Sequence, residues 1–145
     1  MVGEIRDAET AQIAVRAALT GHLILTTMHT RDAKGAVYRL LEFGINWIEI
    51  EQTLIAVTAQ RLVELKCPFC QDACTSECHV HKRNKRASVY ELLYGKGLVQ
   101  VLKAAKGDQA QPNHRQLKDE ISKAIAFGYV KPEEYDRWVH GHEAK

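Results

Sequence analysis

The residues best able to do chemistry stand in two places. Near the start, Val2-Gly3-Glu4-Ile5-Arg6-Asp7 ends a short apolar stretch on two carboxylates and a guanidinium, and the apolar run Leu23 to Met28 is bounded by His22 and His29. Strand ends in an α/β sheet deliver groups of this kind to a crevice. A carboxylate there can orient or deprotonate water, and an imidazole can hydrogen-bond a γ-phosphate or sense its loss. The pair of segments reads as half of an ATP-hydrolysing site, with a surface acid at Glu4 and a structural histidine at His29 as the plain alternatives. The second place is Cys67-Pro68-Phe69-Cys70 with Cys74 and Cys78, a C-x2-C-x3-C-x3-C pattern whose four thiolates suffice for one tetrahedral metal.

A complete site would also need a phosphate cradle, and no G-x-x-x-x-G-K-[ST] pattern occurs in the 145 residues. Gly95-Lys96-Gly97 is the nearest approach, but it lacks the glycine spacing and the hydroxyl. The chain is thus expected to be the C-terminal part of something larger.

The elements that must position these groups follow from periodicity. A strand end at Glu4 leads into a helix capped by Asp7 or Thr10, with Ala8, Ala11, Ile13, Ala14, Ala17 and Ala18 as its small apolar face. Leu23 to Thr27 predicts a buried strand. Residues 32–43 predict a helix carrying Ala33, Ala36, Val37, Leu40 and Leu41, with Gly44 as its stop. A further helix is expected over 45–55 and a last sheet strand over 55–65. Residues 67–86 read as a loop or knuckle, after which Val89, Leu92 and Leu93 resume packing. Helical spacing returns over 98–105 and 117–127, closed by Gly128, and Pro132 with Glu133 and Glu134 opens a short last helix to about Val139.

Composition narrows the class. With 46% hydrophobic and 26% charged residues the chain is ordinary for a globular protein, and a net charge of +2 gives no global reason to expect nucleic-acid binding. The basic run from His79 to Arg86 has no interleaved aromatics for base stacking and reads as a solvated loop. No apolar run spans a membrane, and Glu4 and Asp7 stand where a signal peptide would be basic and apolar. A cytoplasmic setting is expected, in which clustered cysteines hold a metal rather than form disulfides.

Gly3-Glu4-Ile5-Arg6-Asp7, Glu9-Thr10-Ala11, residues 17–23, His29-Thr30 and Ala59-Gln60-Arg61-Leu62-Val63 together resemble the Walker B box, histidine box and downstream sheet of the type II secretion and type IV pilus traffic ATPases. Within that family the likeness is greatest to the competence pilus ATPases of Gram-positive bacteria. The resemblance implies an α/β fold: the C-terminal part of a RecA-like P-loop ATPase core over 1–66, a cysteine-rich zinc knuckle over 67–86, and a mostly helical C-terminal subdomain over 87–145. It also implies a homo-hexameric motor that uses ATP and Mg²⁺ to drive a pseudopilus for DNA uptake or secretion. Such a motor lies peripherally at the inner face of the cell membrane, against a platform protein and without direct nucleic-acid contact. By the same resemblance Glu4 acts on the attacking water and the Mg²⁺ shell, and His29 senses nucleotide.

The neighbours have more than one reading. Arg6 and Asp7 are expected to form an ion pair that holds the loop, with phosphate contact as the alternative for Arg6. His22 begins its strand, so it should lie at the opposite sheet edge from His29, in a structural or nucleotide-binding role. Cys67, Cys70, Cys74 and Cys78 are the expected Zn²⁺ ligands, the last three along one face of a helical turn; His79 or His81 could replace Cys74 or Cys78, and an iron–sulfur cluster or a metal-free thiol cluster competes. The rival function is a non-catalytic, zinc-bearing helical interaction module with a degenerate nucleotide site. On either reading these 145 residues alone should not turn over ATP.

Overall fold

A computed structural model describes residues 1–70, 74, 75, 78, 85–109 and 113–140. These divide into two compact units, one formed by Met1–Ala59 with Leu92–His114 and the other by Gln60–Glu91 with Arg115–Lys145.

In the first unit, Asp7 caps helix α1 (Ala8–Leu19) by accepting the Thr10 N–H at 2.8 Å. Its buried face is made of Ala11, Ala14 and Val15, and the small side chains let α1 approach α3 closely. Asp32 caps α2 (Ala33–Glu42) through the Gly35 N–H, and Asn46 and Glu49 form a reciprocal capping box on α3 (Trp47–Thr53). Between these two helices Gly44 adopts φ +82°, its N–H bonding Leu41 O while the Ile45 N–H bonds Leu40 O. This paired arrangement closes a helix only where a residue accepts the left-handed conformation, which is why the predicted stop is a glycine. Helix α4 (Gly95–Ala105) buries Leu98, Val101 and Leu102 and packs with α2 and α3.

Strands β1 (Ala56–Glu64) and β2 (Arg86–Tyr94) pair in a two-stranded sheet. The β1 strand was expected. The β2 strand was not read from the sequence, although its burial alternates: Glu91 and Leu93 are buried while Tyr90, Leu92 and Tyr94 face solvent. Leu92 therefore does not resume packing, because a strand's period of two sends neighbouring leucines to opposite faces.

In the second unit Val63, Ile121 and Val130 form the core, with Leu65, Val89, Ala124, Ile125, Tyr135 and Trp138 against it. Two buried carboxylates tie the chain together there. Glu91 accepts the backbone N–H of Leu117, the first residue of α5 (Leu117–Ala126), and so satisfies one of the helix's unpaired N-terminal donors. Glu134 accepts the Glu64 N–H, the Trp138 Nε1–H and an Arg137 N–H, anchoring α6 (Glu133–Tyr135) to the end of β1. The last helix departs from its expected form: three α-helical residues pass into a π-helical segment, Asp136–His140.

A further expectation is overturned. Leu23 to Thr27 is not a buried strand, since Leu23 and Leu25 are 72% and 60% exposed and only Thr27 makes a bridge, a parallel one to Glu4. The segment pairs with residues 2–5 alone, so among the described residues no further strand or helix covers those side chains.

Candidate functional site

The Glu4 cluster is assembled by that parallel pairing. The Val2 N–H donates to Leu25 O, the Thr27 N–H to Gly3 O and the Ile5 N–H to Thr27 O, each at about 3 Å, and the Thr27 hydroxyl also donates to Gly3 O. Two chain segments thus end side by side, one on Glu4-Ile5-Arg6 and the other on His29. Extended backbone alternates its faces, so Ile5 turns into the core while Glu4 and Arg6 share the opposite side.

Arg6 donates through both Nε and Nη2 to the same carboxylate oxygen, Glu4 Oε2, at 2.8 and 2.6 Å. The other oxygen, Oε1, lies 3.0 Å from His29 Nε2. That is an ion-pair distance, and the buried Oε1 accepts no hydrogen bond. The Arg6 hydrogen bond, reinforced by the charges of Arg6 and His29 and opposed by partial burial, holds the Glu4 carboxyl below its ordinary value, so it stays ionised. Arg6 is raised correspondingly, first by the same hydrogen bond.

Asp7 is not the partner of Arg6. Its side chain faces the start of α1, where the Thr10 backbone N–H, and then its hydroxyl, lower the Asp7 pKa. Adjacent residues on a strand end point apart, so the Glu-x-Arg spacing wins the guanidinium and the Arg-Asp neighbours separate. His22 sits at the C-terminal end of α1, its Nδ1 3.0 Å from Thr20 Oγ1 and 3.2 Å from Ala17 O. The structure brings Glu4, Arg6 and His29 together and leaves His22 at the other end of its segment. The signal for the Arg6 pairing was present in the i, i+2 spacing.

The four cysteines converge. Every pair of Sγ atoms lies within 4.8 Å, with Cys67 to Cys78 at 3.8 Å and Cys70 to Cys78 at 3.9 Å. A zinc ion with Zn–S bonds of about 2.3 Å sets tetrahedral S···S edges of about 3.8 Å, so the spacing fits the metal. The expected helical face is absent: Cys74 and Cys78 are in no helix, and the Cys78 N–H closes a single turn on Thr75 O. Eight residues of helix would spread Cys70 and Cys78 by about 12 Å, too far for both sulfurs to reach one ion. His79 and His81 lie outside the described residues, as does most of the basic run.

The donor set has a charge problem that a cation answers. Cys67 is lowered to about 7 by the backbone N–H groups of Cys70 and then Phe69. Cys74 is pushed up to about 12, first by burial and then by Cys67 and Cys78, and Cys70 is raised by its contact with Cys78 and by burial. Four thiolates this close ionise together only around a positive ion. The first ligand is anchored to the second unit's core: Leu65 bridges Val130, and the Lys66 N–H donates to Tyr129 O.

A model of the type II/IV secretion system protein family matches residues 1–137. The chain is 62% identical over 141 residues to competence protein ComGA of Bacillus subtilis (strain 168), covering 97% of this chain and 40% of that protein. It is 41% identical over 135 residues to competence protein ComGA of Halalkalibacterium halodurans, covering 92% and 37%. Type II secretion system protein E of Pseudomonas aeruginosa matches at 40% over 118 residues, 64% of this chain and 24% of that one. Among solved structures, the pilus retraction motor PilT with bound ADP has a TM-score of 0.67 at 25% identity, covering 94% of this chain and 38% of that chain. The Legionella pneumophila ATPase DotB shares the fold, with a TM-score of 0.69 at 22% identity over 96% and 38%. The chain spans about 40% of the length of the ComGA proteins it matches. Because the family model covers residues 1–137, which hold both the Glu4 cluster and the four cysteines, the chain belongs to the type II/IV secretion system protein family.

Proposed function

We propose that this chain supplies the water-activating half of an ATPase site in a longer traffic motor that drives a competence pseudopilus or type IV pilus, for DNA uptake or secretion. The observation that carries the reading is Glu4 itself: ionised, held by Arg6 on one oxygen, and presenting a buried second oxygen without a donor beside His29. An ionised carboxylate with an open acceptor is what in-line attack by water on a γ-phosphate requires. Glu4 takes the water proton and His29 senses the γ-phosphate, with Arg6 beside them, while Asp7 caps the following helix and His22 lies at the other end of its segment. Mg²⁺ at Glu4 would neutralise the phosphate oxygens. The phosphate cradle comes from outside these 145 residues, so they do not turn over ATP alone.

In the complete protein the reading extends to a homo-hexamer, cytoplasmic and peripheral at the inner face of the membrane, working against a platform protein without touching nucleic acid. The competence and secretion relatives support that setting, and no helix of the described residues is long and apolar enough to cross a membrane. By function, residues 1–66 are assigned to the ATPase core, 67–86 to the zinc knuckle and 87–145 to the C-terminal subdomain, a division that differs from the compact units, in which Leu92–His114 groups with Met1–Ala59. Cys67, Cys70, Cys74 and Cys78 would hold Zn²⁺ in a structural role, since four sulfurs leave no coordination position for water.

The test is Glu4→Gln in the full-length protein. Nucleotide binding should persist while turnover falls by a factor on the order of 10² to 10⁴. Normal turnover would refute the catalytic assignment and favour a zinc-bearing interaction module with a degenerate nucleotide site.

A further inference from the structure

The two oxygens of Glu4 are not equivalent, and the chain makes them so. Extended backbone at Glu4-Ile5-Arg6 puts the carboxylate and the guanidinium on one face, with Ile5 buried at 4% exposure beneath them. The guanidinium then places two donors on a single oxygen, Oε2, at 2.8 and 2.6 Å. Two charge-assisted bonds from a rigid planar fork fix the orientation of the carboxylate more tightly than a point charge would. Oε1 is left as the open acceptor, buried and next to His29. Without the clamp the carboxylate could rotate and offer either oxygen, or turn toward His29.

Resting on the reading of Glu4 as the base, we propose that Arg6 is a positioning residue that occupies Glu4 Oε2 and thereby assigns Oε1 to the attacking water. This separates Arg6 from the phosphate contact that its charge alone would suggest. Its effect passes through Glu4, so it changes the chemical step and leaves ATP affinity alone. It also depends on the fork, which lysine lacks.

The experiment is a double-mutant cycle on the full-length protein, reading ATP turnover, the KM for ATP and the thermal unfolding midpoint. Arg6→Ala is expected to lower kcat by about 10- to 100-fold, the range a misplaced catalytic group produces, with KM and midpoint near the parent values. In a Glu4→Gln background the same substitution should cost nothing further, since the group it positions is gone. Arg6→Lys should give an intermediate kcat and be equally silent in that background; it carries the test if Arg6→Ala fails to fold. A raised KM with unchanged kcat, or losses that multiply in the double variant, would overturn the clamp by placing Arg6 on the phosphate. Normal turnover by Glu4→Gln would overturn the clamp and the functional reading together, which distinguishes the two failures.

Discussion

Glu4 and His29 meet from segments 25 positions apart in sequence, whereas the four cysteines converge within a stretch whose outer members are 11 positions apart. The first arrangement exists only because a parallel pairing, held by three backbone hydrogen bonds, lays one strand end beside another. The second is closed by short turns and by its own sulfurs. On the proposed function, the first exchanges substrate at strand ends, and the second is a staple built locally and filled by its ligands. The charges follow the same division. Arg6 and His29 keep Glu4 ionised without a metal, while the cysteine cluster cannot bear its full charge until a cation arrives.

The sharpest way to break this contrast is to remove one group from each. In the complete protein Glu4→Gln should lower turnover by a factor on the order of 10² to 10⁴, the range general-base catalysis supplies, and leave metal content and unfolding midpoint unchanged. Cys70→Ser should do the reverse: purified without chelator, the parent should carry about one zinc per chain and the variant far less, with a lower thermal midpoint. Zinc near zero in the parent, with four freely reactive thiols, would refute the staple. Next in size, Ile121→Ala opens a cavity in the core that anchors Cys67 and should cost about 2–5 kcal/mol in denaturant unfolding. A cost well under 1 kcal/mol would mean that this core is not close-packed.

The smallest effect concerns Asp7, which lies beside the Glu4 cluster yet serves α1. Its folded pKa is depressed below the ordinary 3.8, so its stabilising contribution is present above that value and is lost as pH falls through the lower folded pKa. Asp7→Asn keeps a capping oxygen but cannot titrate. Unfolding midpoints measured from pH 5 downward should therefore fall less steeply for the variant; parallel acid limbs would show that the cap does not depend on charge.

Much of this was legible before any fold was known. The cap at Asp7, the stop at Gly44 and the apolar face of α2 follow from rules acting within one helical turn, whereas the face expected on α1 was only partly right: Ala11 and Ala14 are buried, but Ile13 is exposed and Val15 is buried instead. Glu4, His29 and the cysteines stood out because their residue types have few other reasons to cluster. The strand β2 was missed because Glu91 occupies one of its buried positions, and a carboxylate in an inward register hides the alternation until its partner, the Leu117 N–H, is known. The expectation that Leu23 to Thr27 is buried failed because hydrophobicity reports what a segment can bury, not what lies against it.

The sequence by itself determined the inventory: a carboxylate, a guanidinium and an imidazole at strand ends, four thiols in a short span, and helices with their caps. Tertiary structure decided the partnerships. It took Arg6 from Asp7 and gave it to Glu4, left one Glu4 oxygen open beside His29, and folded Cys70, Cys74 and Cys78 around a point instead of along a helix. The reason is range. Helix caps and turns are set by neighbours within a few residues, but which of two carboxylates a guanidinium meets, and how close two sulfurs come, depends on backbone direction and on strand pairing between segments distant in the chain.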